Sequence, residues 1–150
     1  MGPDEQIVEV FRSKGYKATP QRISVARSVL TSREHPSAES VYKEVKRVHP
    51  TISLSTVYNT LHVLKELNMV HELGLNCIGL RFDPNTKPHI NMVCSRCGRI
   101  RDLEDPLFEE ALERVEKRTG YKITVQTIEL YGLCKRCIRE GLKISGREDK

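Results

Sequence analysis

No stretch of this 150-residue chain approaches the roughly 20 consecutive apolar residues of a membrane-spanning helix. The opening residues, Met1-Gly2-Pro3-Asp4-Glu5, are acidic and carry no apolar run, so they do not read as a secretory signal. The expectation is a soluble, cytoplasmic protein. Catalytic signatures are missing too: there is no H-E-x-x-H, no nucleophile elbow and no phosphate-binding glycine loop. That argues against an enzyme, and a small zinc hydrolase would also need an open metal position, a base and a pocket. Internal repeats and low-complexity segments are absent. Acidic residues are missing in two places. None lies between Arg12 and Arg33, a stretch holding Lys14, Lys17, Arg22 and Arg27, and none between Lys46 and Lys65. Such a local bias suits a phosphate-binding face, against the plainer reading of a solvated surface.

What the chain does have is two C-x-x-C pairs, Cys94-Ser95-Arg96-Cys97 and Cys134-Lys135-Arg136-Cys137. Two pairs supply the four sulfurs of a closed tetrahedral Zn²⁺ site, which leaves no open position for a substrate and so implies structure. Two disulfides are the alternative, and a secretory context to favour them is missing. The loop between the pairs is long enough to hold its own secondary structure. Four thiolates and one Zn²⁺ remove two units from the formal charge of +5. Arg96, Arg99, Lys135, Arg136 and Arg139 crowd the pairs and offset the thiolates, so basicity there does not require nucleic acid. The fifth cysteine, Cys77, reads as a small buried hydrophobe or a redox-reactive thiol.

The first 67 residues read as four helices. Their apolar stripes are Ile7, Val10 and Phe11, then Ile23, Ala26, Val29 and Leu30, then Val41, Tyr42, Val45 and Val48, and finally Leu54, Val57, Leu61 and Leu64. Thr19-Pro20, Pro36-Ser37 and Ser53 mark the starts of the last three. Residues Met69 to Leu73 and Ile78 to Phe82 then read as a strand pair joined through Gly74-Leu75-Asn76. Helices followed by a hairpin make a winged helix-turn-helix, with the third and fourth helices separated by Pro50-Thr51-Ile52. The outward side of the fourth carries Ser55, Thr56, Asn59, His62 and Val63, with Tyr58 at its flank. Short polar groups and an amide on a basic domain suit major-groove reading of DNA. A zinc-stapled interaction module would need neither the acid-free segments nor this helix face.

Prolines 84 and 88 mark a hinge over 84–88, which separates a winged-helix domain, 1–83, from a second domain, 89–150. The second reads as α+β with a small antiparallel sheet. Its strands are Ile90 to Val93, Arg99 to Leu103 and Tyr121 to Tyr131. A helix capped by Asp105-Pro106 and ended by Gly120 bears Phe108, Leu112 and Val115. A short closing helix spans Ile138 to Ile144, and 145–150 are expected to fray. His89 and Asn91 lie two apart on one strand and share a face. With His35, Asp83 and Asp102 they offer imidazole and oxygen ligands suited to Fe²⁺, Mn²⁺ or Zn²⁺. On spacing alone, ordinary surface histidines are the competing reading. His49, His62 and His71 show no ligand pattern.

Gly15-Tyr16-Lys17-Ala18-Thr19-Pro20-Gln21-Arg22, His35-Pro36-Ser37-Ala38-Glu39, Ser55-Thr56-Val57-Tyr58-Asn59-Thr60-Leu61, Arg81-Phe82-Asp83, Cys94-Ser95-Arg96-Cys97-Gly98 and Leu130-Tyr131-Gly132-Leu133-Cys134 together resemble the ferric uptake regulator family of metal-dependent DNA-binding repressors. The resemblance runs from about Glu5 to Gly141. It implies a homodimer whose second domain dimerises, a palindromic double-stranded DNA operator, and structural Zn²⁺ on Cys94, Cys97, Cys134 and Cys137. It implies a regulatory Fe²⁺ or Mn²⁺, with Zn²⁺ or Ni²⁺ as alternatives, at the His35, Asp83, His89, Asn91 and Asp102 positions. It implies base contact by Tyr58 and DNA contact by Lys17 and Arg22. Asp83 and Asp102 are similar to the peroxide-responsive branch, whose site holds three histidines and two aspartates. Asn91 stands where the third histidine would be. An iron sensor is the alternative within the family, although the histidine of that group's further site is replaced here in the region of Gln126 and Thr127.

Overall fold

The computed structural model describes residues 2–75 and 79–145. The chain forms two compact units, Met1–Thr86 and Lys87–Lys150. No helix among the described residues is long and apolar enough to cross a membrane.

The first unit runs α1 (Pro3–Ser13), α2 (Pro20–Leu30), α3 (Ala38–Lys46), α4 (Leu54–Glu66), β1 (His71–Leu75) and β2 (Gly79–Asp83). The helix starts follow from local chemistry. The hydroxyls of Thr19, Ser37 and Ser53 accept hydrogen bonds from the backbone N–H groups of Arg22, Ser40 and Thr56, each satisfying a donor that the helix leaves unpaired. Prolines occupy the first turns of α1 and α2, where no N–H is needed. Ile7, Phe11, Val25, Ala26, Val29, Val41, Val45, Val57, Leu61, Leu64, Val70 and Phe82 form one continuous core. β1 and β2 pair antiparallel, with His71 opposite Asp83 and Leu75 opposite Gly79. This is the expected winged helix-turn-helix.

Three expectations fail in detail. Val63 is not on the outward face of α4 but only 6% exposed, because the helix also packs its flank into the core. Leu54, the first helical residue, is exposed. Val48 is 70% exposed because α3 ends at Lys46 and the stripe runs past it. Cys77, whose role the sequence left open, Asn76 and Ile78, where the second strand was expected to begin, lie outside the described residues, as do 146–150, where fraying was expected.

The second unit runs β3 (Ile90–Cys94), β4 (Ile100–Leu103), α5 (Pro106–Thr119), β5 (Ile128–Gly132) and α6 (Lys135–Ser145). Asp105 caps α5 by accepting from Leu107 N–H, and Gly120 ends it at φ 75°, the left-handed turn that suits glycine. The sheet order is β4-β3-β5, and it is mixed instead of antiparallel. β4 follows β3 through a tight turn and pairs antiparallel, but β5 arrives after the α5 crossover and runs parallel to β3. The third strand is also shorter than expected. Residues 121–127 are rich in strand formers but stay irregular, and Ile123 N–H donates to the Glu116 carboxylate of α5 instead of to a strand. α6 begins earlier than expected, immediately after Cys134.

Candidate metal centres and nucleic-acid interface

Parallel pairing of β3 with β5 puts Cys94 opposite Gly132, so both C-x-x-C segments leave the same end of the sheet. Cys94 ends β3, and the chain turns back through Gly98 at φ 74°, with Gly98 N–H donating to Cys94 C=O at 2.9 Å. Cys134 precedes the first turn of α6, where Ile138 N–H donates to its carbonyl at 3.0 Å. Ser95 N–H donates to Gly132 C=O at 2.8 Å and ties the two segments together. The four sulfurs lie within 4.8 Å of one another. Cys97 Sγ and Cys134 Sγ are 3.8 Å apart. Sulfurs placed about 2.3 Å from one Zn²⁺ in a tetrahedron have edges of about 3.8 Å. The donor set therefore fits a four-thiolate zinc centre.

Without metal the four thiols are unequal. The Cys134 backbone N–H, 3.3 Å from Cys94 Sγ, favours the thiolate and pulls Cys94 down to about 6. Burial pushes Cys137 up to about 12. A divalent ion would level this difference by deprotonating all four. Cys94 and Cys137 are buried, whereas Cys97 and Cys134 lie nearer solvent. Arg96 Nη1 donates to Cys137 C=O at 3.0 Å, and the negative charge of Cys97 raises Arg136 above the usual arginine value.

Each unit also holds a histidine–aspartate pair, buried in the first and with a partly exposed aspartate in the second. In the first, His35 Nε2 lies 3.6 Å from Asp83 Oδ1, with both side chains almost fully buried. His35 adopts φ 48°, and Pro36 C=O accepts from Phe82 N–H at 3.0 Å, holding the loop before α3 against β2. A positive φ at a non-glycine residue costs about 1 kcal/mol and marks a position set by its surroundings. In the second unit, His89 Nε2 lies 3.9 Å from Asp102 Oδ1. His89 Nδ1 is 2.7 Å from Lys87 C=O. A carbonyl can only accept, so Nδ1 carries a proton, which leaves Nε2 as the nitrogen a neutral ring would offer to a metal. Asn91, 1% exposed, sits opposite Asp102 across β3 and β4. Its Oδ1 is buried and has no hydrogen-bond partner among the described residues. A buried carbonyl oxygen left so is costly unless a cation or a water meets it. These imidazoles, carboxylates and amide fit Fe²⁺ or Mn²⁺ in donor type. Two of the other three histidines have different partners: His49 Nε2 meets Ser24 Oγ at 2.9 Å, and His62 Nε2 lies 3.3 Å from Glu66.

On the winged-helix unit, Ser55, Tyr58 and Asn59 are exposed along α4. Thr56 is half-buried and engaged at the cap, its hydroxyl 3.0 Å from Ser53 Oγ, so it offers less to a ligand than the sequence suggested. Lys17 lies in the loop before α2, and Arg22 in its first turn donates to Lys17 C=O at 3.3 Å. Gln21 joins this segment to the loop before α4 through Thr51 Oγ1 at 3.5 Å. One contact escaped the sequence reading. Tyr58 Oη donates to Glu39 Oε1 at 2.7 Å, across 19 positions of chain. That bond holds the Glu39 carboxyl below its usual value and raises the Tyr58 phenol above its own. Nothing in the spacing of two residues on different helices signals it.

The sequence model of the ferric uptake regulator family matches residues 13–131. The peroxide-responsive repressor PerR of Staphylococcus epidermidis is 35% identical over 137 residues, 91% of each chain. The Campylobacter jejuni peroxide stress regulator superposes with a TM-score of 0.72 at 33% identity, covering 91% of this chain and 100% of that one. The Helicobacter pylori ferric uptake regulator Fur, described as having three functional metal-binding sites, gives 0.76 at 26% identity, covering 89% and 90%. Likeness on this scale spans the winged helix and the four-cysteine unit together, and the chain belongs to the ferric uptake regulator family of DNA-binding regulators.

Proposed function

We propose that the protein is a metal-dependent repressor that binds palindromic operators as a homodimer. In this reading Cys94, Cys97, Cys134 and Cys137 hold Zn²⁺ for structure, and His35, Asp83, His89, Asn91 and Asp102 hold a regulatory Fe²⁺ or Mn²⁺. The observation that carries it is the division of the second set: His35 and Asp83 belong to the winged-helix unit, and His89, Asn91 and Asp102 to the other. An ion drawing ligands from both would favour the arrangement competent for DNA, and its effect on operator affinity would equal that preference. Support for dimerisation comes from the apolar side chains that the second unit leaves exposed, among them Met92, Tyr121, Val125, Leu130 and Leu133. Met92 and Leu130 are neighbours across β3 and β5. A second copy would cover such a surface.

The test is titration of a palindromic duplex with the purified protein, with and without Mn²⁺ or anaerobic Fe²⁺. Metal-independent affinity, or equal affinity for every duplex, would sink the proposal. Arg22→Ala should weaken binding to all sequences and flatten the salt slope by about 1, as loss of one phosphate contact does. Tyr58→Ala should instead relax sequence preference.

Asn91 favours a second reading within the same site, an iron or manganese sensor with weak response to peroxide. A neutral amide replaces an imidazole, lowering the ligand field and the affinity. Asn91→His is therefore expected to tighten regulatory metal binding by about tenfold, as measured by Mn²⁺ titration of zinc-loaded protein. Equal Mn²⁺ affinities would remove Asn91 from the ligand set.

A further inference from the structure

Three elements of the winged-helix unit converge on Glu39. It is the second residue of α3, where the positive end of the helix favours a carboxylate. Tyr58 reaches it from the outward face of α4 through a short bond to an ionised acceptor. Arg81, on wing strand β2, acts on the same carboxylate electrostatically. Together with Ser37, Gly79 and Phe82 these residues line an open cavity of about 370 Å³. Tyr58 remains 41% exposed, so Glu39 fixes its direction without hiding it. The carboxylate is out of keeping with its setting, because a surface that meets phosphates is weakened by negative charge.

We propose that Glu39 sets the specificity of DNA binding by holding Tyr58 in position on the reading face, while its charge lowers affinity for every duplex alike. This rests on the DNA-reading function given above. A pinned aromatic side chain loses no rotamer freedom when it meets its base, so the correct site gains relative to others. The carboxylate repels every duplex alike, so its charge lowers affinity without changing the ratio between right and wrong sites.

The two effects separate by substitution. Glu39→Gln keeps an acceptor oxygen for the phenol and removes the charge, whereas Glu39→Ala removes both. Tyr58→Phe removes the bond from the other side. The probes are a duplex enriched from a randomised pool by the wild-type protein in Mn²⁺ and a shuffled duplex of the same composition. Glu39→Gln is expected to bind both about three- to tenfold more tightly, with their ratio kept within about twofold. In Glu39→Ala and in Tyr58→Phe the ratio is expected to fall about fivefold. The double variant Glu39→Ala/Tyr58→Phe should fall no further, because both changes break one contact. Thermal midpoints confirm that each variant is folded, and Tyr58→Phe carries the test should Glu39→Ala unfold. An unchanged ratio in Glu39→Ala, or additive losses in the double variant, overturns the positioning role. A Glu39→Gln protein that binds the shuffled duplex no better overturns the repulsive one. If the wild type enriches no sequence, the DNA-reading function falls and this inference with it.

Discussion

Cys94→Ser is expected to lose its zinc and to unfold the second unit while leaving the winged helix intact. The reason is how little else holds that unit together. Among the described residues, the continuous hydrophobic core lies in the first unit, between Ile7 and Phe82. In the second, the buried apolar residues among those described are Val93, Cys94 and Cys137, and α5 buries none of its side chains fully. Two of those three are themselves thiol ligands. Metal-binding energy is then folding energy, about 10–16 kcal/mol for structural Zn²⁺ in small zinc domains. Serine offers a poor ligand to zinc in place of a thiolate. Zinc content should fall well below one ion per chain, and a thermal scan should keep the winged-helix transition and lose the other. A metal-free Cys94→Ser protein that stayed dimeric with both transitions would show that packing alone suffices.

His89→Ala is expected to abolish the response of DNA binding to Mn²⁺ and Fe²⁺ without changing zinc content. His89 is held by its bond to Lys87 C=O so that Nε2 faces the Asp102 side. A regulatory ion typically couples to a second ligand by about 1–3 kcal/mol, a 5- to 150-fold change in affinity. The variant should show none of it. Zinc analysis run on the same sample separates this outcome from general collapse of the second unit. A metal response equal to that of the wild type would place the regulatory site elsewhere.

Much of the winged helix was legible because it is written locally. Thr19, Ser37 and Ser53 each cap a helix within three residues of their own position, and apolar residues recur at helical spacing. The cysteine centre was legible because a C-x-x-C pair is a chelating unit before it folds. Misreadings came where distant packing decided. Val63 looked outward by spacing, but α4 is buried over more than one stripe. Residues 121–127 have strand composition, yet the N–H groups of Tyr121 and Ile123 donate to the Thr119 and Glu116 side chains of α5. The direction of β5 depended on a crossover that no local pattern encodes. The Tyr58–Glu39 bond joins two helices through side chains that each look like ordinary surface residues.

The parallel pairing of β3 with β5 gives the zinc centre a second consequence. A strand that slips by one position turns every side chain to the opposite face. In β3 that slip would bring Met92 inward and send Asn91 out to solvent, and His89 would turn with it. A short three-stranded sheet with little burial resists such a slip weakly. One ion bound to Cys94 and Cys97 on one side and to Cys134 and Cys137 on the other would clamp the two strands in a single alignment. Asn91 is three residues from Cys94, about 10 Å along the strand. The cysteines would then act at a distance as the vernier that keeps a different set of ligands in focus.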